Sequence, residues 1–299
     1  MKNFIKDFNF PISVNKRFPN NFLETFIKFI PYFKGSWLLY SPLFSFFPLK
    51  NRLVAVDVLL GEKKIFTINF DIGDPYQLNM VKNSCFDLGT VMVIWSLLFE
   101  GDTFVDIGAN CGYLSQIASN RVGLKGRVVS VEPNPQAFKL LVGRGLKNVI
   151  AVNKVAGKDS NSRFTIVKPF YRQSTASRFI IDSKGKTLSI SLDDICNNLG
   201  KPNIKLIKID TEGAELYVLE GARNILKEQH PFVIAEVSWY SENFNYKFEA
   251  VYNLMKELGY NYIYNINDQT ASIHKINTGV DGQILFSVRQ LEEIDFMKL

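Results

Sequence analysis

The sequence predicts an α/β fold in which a mostly parallel sheet carries helices on both faces and ends in an antiparallel pair. Three observations predict it. From Gly101 onward, short apolar runs alternate with segments of helical period, the pattern of a sheet wound by crossover helices. Four of the runs lead into an acid, at Asp106, Glu132, Asp210 and Glu236. After the first comes a glycine turn, Gly108-Ala109-Asn110-Cys111-Gly112, and then Tyr113, Leu114, Ile117 and Ala118 resume at helical spacing.

Taken in order, residues 1 to about 50 read as aromatic-rich helices and turns. "RLVAVDVLL" and "IFTINF" flank a turn containing Gly61 and read as a β-hairpin, since β-branched and aromatic residues surround the turn. Val91–Phe99 reads as a helix ending near Gly101. Strands are expected at Thr103–Asp106, Arg127–Val131, Val149–Val152, Lys205–Ile209 and Phe232–Glu236, and helices at Tyr113–Asn120, Gln136–Val142, Ala214–Leu226 and Phe244–Leu258. "RFTIVKPF" and "KTLSISLDDI" interrupt the alternation as an inserted hairpin, and "YNYIYNI" with "GQILFSV" adds two terminal strands. The division expected is an N-terminal extension over 1–85 and a catalytic domain over 86–299.

Composition narrows the function classes. With 46% hydrophobic and 21% charged residues the chain folds rather than staying disordered. The net charge of +6 is spread without a Lys/Arg block, so no nucleic-acid partner is expected. Cys85, Cys111 and Cys196 lack CxxC spacing, which argues against a disulfide framework or zinc site and fits a cytoplasmic location. Trp37–Leu49 is apolar but short and broken by Pro42 and Pro48, too short to span a bilayer. Basic neighbours Lys34, Lys50 and Arg52 leave peripheral membrane contact through residues 34–52 open. Oligomeric state is not readable.

Ligands of such sheets bind beyond the carboxyl ends of the strands. Glu132 ends the second strand about 20 residues after the glycine turn, where a carboxylate accepts hydrogen bonds from ribose hydroxyls. The turn is G-x-x-x-G rather than the GxGxxG of a dinucleotide site. An acid (Asp106) and an amide (Asn110) beside the glycines suit a ligand end with a positive charge and a carboxylate, such as the amino-acid end of S-adenosylmethionine. "IKLIKIDTEGAELYVLEGA" puts Asp210, Glu212 and Glu215 at one strand end, and "PFVIAEVSW" adds Glu236. Acids at a helix start are favoured by the dipole, but three within six residues exceed what capping requires.

"FVDIGANCGY", "VEPNP", "SLDDI", "IKIDTEGAELYVLEGA" and "PFVIAEV" together resemble, in order and spacing, the FkbM family of S-adenosylmethionine-dependent methyltransferases, over about Gly101 to Val237. The resemblance implies a Rossmann-like methyltransferase fold with a seven-stranded sheet. Asp106, Gly108, Asn110 and Gly112 would hold the methionine end and Glu132 the ribose, with Tyr113 and Asn134 completing the cofactor set. It also implies O-methylation of a hydroxyl on a sugar, glycolipid or natural product, hence a small-molecule or glycan acceptor. A hydroxyl is a poor nucleophile, so a base is needed, and Asp210, Glu212 and Glu236 are the candidates. A carboxylate on the sulfonium would stabilise reactant more than transition state, which turns these acids toward the acceptor. The alternative that Asp210 and Glu212 bind a divalent metal is open but not favoured. His230 and His274 have weaker claims. The rival functions are an NAD-dependent oxidoreductase or epimerase and a non-catalytic nucleotide-binding module. Trp239, Tyr240, Phe244 and Tyr246 are placed either to stack on a sugar face or to cover the sheet edge.

Overall fold

Strands whose residues are apolar on both faces must be covered on both, and the centre of this protein is built from them. The computed structural model describes residues 12–17, 53–60, 63–74, 77–78, 80–81, 87–167, 178–268, 272–277, 279–291 and 294–295. Residues 34–52, where membrane contact is open, and Cys85 lie outside the described residues. The chain forms two compact units, a small one holding strands β1–β3 and a larger one within 89–167 and 177–295.

In the small unit β1 (Ile12–Arg17), β2 (Leu53–Leu60) and β3 (Lys63–Asp71) pair antiparallel in the order β1-β2-β3. The expected hairpin is β2–β3. β1 departs from the reading of that region as helices and turns, because "ISVNKR" alternates with period two and matches the edge of β2. Asp57, buried on β2, accepts hydrogen bonds from Arg17 at 2.9 Å and Thr67 at 2.5 Å.

The larger unit holds β4 (Thr103–Ile107), β5 (Arg127–Val131), β6 (Val149–Val152), β11 (Ile204–Ile209), β12 (Phe232–Val237), β13 (Tyr262–Asn267), β14 (Ser272–Lys275), β15 (Gly282–Ser287) and β16 (Ile294–Asp295) in one sheet. Its order is β16-β14-β13-β15-β12-β11-β4-β5-β6. The run β6-β5-β4-β11-β12 is parallel, and β15 enters antiparallel between β12 and β13. Those seven strands are the Rossmann-like sheet expected, and β14 and β16 extend it at one edge. All five residues of β4 are buried, and Ile107, Val129, Ile207, Val233 and Phe286 share one apolar core.

Helices α1 (Leu88–Leu97), α2 (Tyr113–Val122), α3 (Pro135–Gly143), α4 (Leu192–Asn198), α5 (Glu215–Glu220), α6 (Arg223–Gln229) and α7 (Glu249–Glu257) supply the coverings. Between β6 and β11 a second sheet forms from β7 (Val155–Ala156), β8 (Arg163–Val167), β9 (Arg178–Ile181) and β10 (Thr187–Ile190), in the order β7-β10-β8-β9. The inserted hairpin is thus β8 paired antiparallel with both β9 and β10, and "LDDI" is the start of α4.

Two helices are shorter than expected. Ala214–Leu226 is broken into α5 and α6 because the Gly157 carbonyl approaches Gly221 so closely that a Cβ there would lie 2.1 Å from it. Asp193 of α4 then starts α6 from outside, its carboxylate accepting from the N–H groups of Asn224 and Ile225 at 3.1 Å each. Phe244–Leu258 becomes a 3₁₀ helix over Trp239–Phe244, a left-handed Asn245 (φ 61°), and α7. Among the described residues no helix is long and apolar enough to cross a membrane.

Candidate functional site

The chain leaves β4 in both directions across the sheet, to β5 on one side and β11 on the other. Such a switch point opens a crevice at the carboxyl ends of the strands. There the turn after β4 meets the turn after β11: Asp210 N–H donates to Ile107 O at 2.9 Å. Gly108 (φ 80°) lies so close that a Cβ would sit 1.8 Å from the Asp210 carbonyl oxygen. Only glycine fits, because the backbones themselves touch.

Glu132 anchors the other wall. Its Oε2 accepts from the Asn110 N–H at 2.8 Å and its Oε1 from the Asn134 N–H at 2.7 Å. It is 6% exposed, and burial, only partly offset by those two hydrogen bonds, raises its carboxyl to about 7. Each oxygen keeps a second lone pair for a ligand hydroxyl. Asn134 is committed elsewhere, its side chain accepting from Gln136 N–H at 2.9 Å as the N-cap of α3. Asn110 is left-handed (φ 48°), and its Oδ1 is buried without a hydrogen-bond partner. Tyr113 is the buried first residue of α2, whose N-cap, Gly112, provides no side-chain cap.

Asp106 lies one row beneath this edge. It is the Cα partner of Ser130 on β5 and of Lys208 on β11. Its Oδ2 accepts from Ser115 Oγ at 2.5 Å, and Ser115 and Ser130 share a 2.8 Å hydrogen bond. Burial raises its carboxyl to about 6, against the hydrogen bond from Ser115 and the charge of Lys208.

Lys208 has no exposed surface. Its Nζ lies 3.3 Å from Asp210 Oδ2 and donates to the Ile209 carbonyl at 3.3 Å. Burial would raise Asp210, but the Lys208 charge, a hydrogen bond from Glu236 and the Lys208 hydrogen bond together hold it below the ordinary carboxylate range. Glu236, facing the Asp210 charge and partly desolvated, is pushed far up. The pair therefore holds one proton between two carboxyls, with the proton on Glu236.

The remaining acids of this edge divide. Glu215 is 1% exposed and its Oε1 accepts from Thr211 N–H, Thr211 Oγ1 and Gly213 N–H, each at 3.0 Å. It ties the 211–213 loop, which is the capping that its position in the sequence appeared to exceed. Glu212 (φ 57°) is half-buried and acts on Glu236 through its charge. Tyr246 donates to Gly213 O at 2.5 Å, and both Phe244 and Tyr246 pack edge-on against Tyr217. These two aromatics brace the loop; the Trp239 and Tyr240 side chains lie outside the described residues. His230 ends α6, at the amino end of β12, and His274 on β14 bonds Ser272 at 2.9 Å. Among the described residues no group of three or more His, Cys, Asp or Glu side chains is arranged to hold a metal ion.

The structure thus brings Glu132, Asn110, Gly108, Asp210 and Glu236 to one edge, with Asp106 beneath it. Sequence reasoning gave no role to Lys208, which with Lys205 is one of two lysines in an otherwise apolar strand and lies two residues before Asp210. A glycine turn, an adjacent strand-end carboxylate and a proton-sharing acid pair at a switch point define a Rossmann-like site of the methyltransferase class. The chain belongs to the FkbM methyltransferase family: the model for the Methyltransferase FkbM domain matches residues 106–262. It is 30% identical over 142 residues to the hexuronic acid methyltransferase AglP of Haloferax volcanii, a match covering 46% of this chain and 56% of that protein. A solved FkbM methyltransferase from Methylobacillus flagellatus is 18% identical, with a TM-score of 0.40, over 70% of this chain and 52% of that one. Aeropyrum pernix fibrillarin with natively bound S-adenosyl-L-methionine is 16% identical, with a TM-score of 0.38, over 67% of this chain and 73% of that one. The chain spans about half the length of the first two of these relatives.

Proposed function

We propose that the protein transfers a methyl group from S-adenosylmethionine to a hydroxyl group of a sugar, glycolipid or natural product. The observation that carries this is the pairing of two sets of groups across one switch point. On the β4–β5 side are a helix start without a side-chain cap, the orphaned Asn110 Oδ1 and the Glu132 carboxylate. On the β11–β12 side are Asp210, ion-paired with Lys208 at 3.3 Å, and Glu236 at the end of the adjacent strand. Family membership and the hexuronic acid methyltransferase relative support the same reading.

The residues fit the cofactor. Asn110 Oδ1, buried and unpaired, suits the donors of an ammonium group. The N–H groups of the first turn of α2, to which Gly112 gives no side-chain cap, suit a carboxylate, and the Glu132 oxygens suit ribose hydroxyls. When bound, S-adenosylmethionine supplies a methyl group activated by a sulfonium charge. The chain's own part is alignment and proton removal. Asp210 accepts the proton of the acceptor hydroxyl as the oxygen attacks, and Lys208 keeps Asp210 ionised for it. Glu236 holds its own proton toward Asp210 and so orients that carboxylate. Asp106 and Glu215 fix the two turns from behind.

Calorimetric binding of S-adenosylmethionine, S-adenosylhomocysteine and NAD to the wild type and to Glu132→Ala tests the cofactor assignment. Micromolar binding of the sulfur compounds alone, weakened by the substitution, is expected. Preference for NAD, or no sulfur-compound binding, refutes it.

A further inference from the structure

The glycine turn is held by a side chain that the cofactor assignment leaves unused. Arg144 is the C-cap of α3, and its half-buried side chain reaches back to the turn. Its Nε donates to the Cys111 carbonyl at 2.5 Å, and its Nη1 donates to Gln116 Oε1 on α2 at 3.1 Å. The Gln116 N–H in turn closes the start of α2 on the Gly112 carbonyl at 3.0 Å. A Cβ on Gly112 would lie 2.5 Å from Leu141 Cδ1 and 3.2 Å from Arg144 Nε, so the end of α3 packs directly on the turn.

The turn is therefore tied to both ends of α3. At the helix start Glu132 accepts from the N–H groups of Asn110 and of Asn134, the N-cap. At the helix end Arg144 takes the Cys111 carbonyl. Between these ties lie two left-handed residues, Asn110 at φ 48° and Gly112 at φ 80°. A residue other than glycine keeps that backbone only where its surroundings over-determine it. Asn110 also carries the buried Oδ1 without a hydrogen-bond partner, the atom that suits an ammonium group. The backbone of residues 110–112 sets both the position of that oxygen and the direction of the first N–H groups of α2. A guanidinium is fitted to fix it, because its planar fork reaches two acceptors at once and stays ionised.

We infer that Arg144 is a positioning residue for the amino-acid end of the cofactor. By holding the Cys111 carbonyl and Gln116 together, it keeps the Asn110–Gly112 backbone in the form that receives an ammonium and a carboxylate. Ribose recognition stays with Glu132. The inference rests on the S-adenosylmethionine reading of this edge.

The test compares two ligands by calorimetry on the full chain. S-adenosylhomocysteine carries the amino-acid end, and methylthioadenosine keeps the nucleoside and sulfur but lacks it. The wild type should bind S-adenosylhomocysteine more tightly. Arg144→Gln removes a charged donor and should weaken S-adenosylhomocysteine by roughly tenfold while leaving methylthioadenosine unchanged. Arg144→Lys keeps the charge and one donor, so it should recover part of the loss. Glu132→Gln, by contrast, should weaken both ligands. Both are measured on one preparation, so an unfolded fraction affects them equally and the ratio of affinities reports on the turn alone. If Arg144→Gln folds poorly, the ratio in Arg144→Lys decides, with a smaller loss confined to S-adenosylhomocysteine. An unchanged ratio, an equal loss for the two ligands, or a wild type that binds both equally would overturn the positioning role while cofactor binding stands. A wild type that binds neither would overturn the methyltransferase reading and this role together.

Discussion

Glu132→Gln isolates the buried carboxylate on which cofactor recognition is proposed to turn. Burial raises Glu132 from an ordinary 4.5 to about 7, which at 1.36 kcal/mol per pH unit is about 3 kcal/mol. The sign follows from proton occupancy. Between roughly pH 4.5 and 7 the folded chain holds a proton on Glu132 that the unfolded chain has released, so stability falls as pH rises through that window. Above pH 7 the whole of the roughly 3 kcal/mol opposes folding. A ribose donating two hydroxyls to the ionised carboxylate favours the deprotonated form, so binding releases a proton below pH 7. Affinity for S-adenosylhomocysteine should then weaken by up to tenfold for each pH unit below 7, or about 100-fold at pH 5. Asp106, raised to about 6, titrates nearby, so the variant must be compared with the wild type at every pH. In Glu132→Gln the slope contributed by this group should vanish, and affinity at pH 8 should fall by roughly ten- to 100-fold through loss of charge-assisted hydrogen bonds. Calorimetry in buffers of differing ionisation enthalpy reads both the dissociation constant and the proton released. A wild-type affinity flat from pH 5 to 8, or an equal slope in Glu132→Gln, would refute the assignment.

Asp210→Asn should leave S-adenosylhomocysteine binding near wild type and cut turnover by about 10²–10⁴-fold, with full turnover excluding Asp210 as the base. Lys208→Met removes the cation of a part-buried ion pair, in which the Asp210 side chain keeps 29% of its surface exposed, and should destabilise the protein by about 1–3 kcal/mol. Adding Asp210→Asn should recover part of that loss in thermal melts, since it removes the stranded charge, and strict additivity of the two losses would contradict the pairing. Asp193→Ala uncaps α6 and should lower stability by about 1 kcal/mol without altering cofactor affinity, which calorimetry on the same sample checks.

How much of this was legible follows from the kind of interaction involved. The sheet strands were readable because β4, β5, β11 and β12 are buried on both faces and appear as short apolar runs. The edge acids were readable because each ends such a run. The break in Ala214–Leu226 was not, since it depends on the Gly157 carbonyl meeting Gly221 from 64 residues away. β1 was missed for a related reason: its six residues pair with β2, some 40 positions distant. Long-range approach leaves little local signal: in β1 only Ile12 and Val14 alternate as apolar residues, too short a pattern to read as a strand. The same limit hid the division of labour among the acids. Asp210, Glu212 and Glu215 look alike in the sequence, yet Glu215 spends its Oε1 on a loop while Asp210 faces a buried ammonium.

That ammonium is what separates two otherwise similar carboxyls. Asp210 and Glu236 stand at adjacent strand ends and cannot both ionise cheaply when desolvated. Lys208 breaks the tie, because it lies on the strand of Asp210 and reaches its Oδ2 at 3.3 Å. Its register also makes it the Cα partner of Asp106, so one cation serves the row beneath the glycine turn and Asp210 beside it. The turn proposed to recognise the cofactor and the acid proposed to take the acceptor proton are therefore coupled through a single side chain with no exposed surface. Neutralising Lys208 should disturb both. The S-adenosylhomocysteine affinity of Lys208→Met should shift with Asp106 protonation, whereas Asp210→Asn, which leaves the cation in place beside Asp106, should not reproduce that shift.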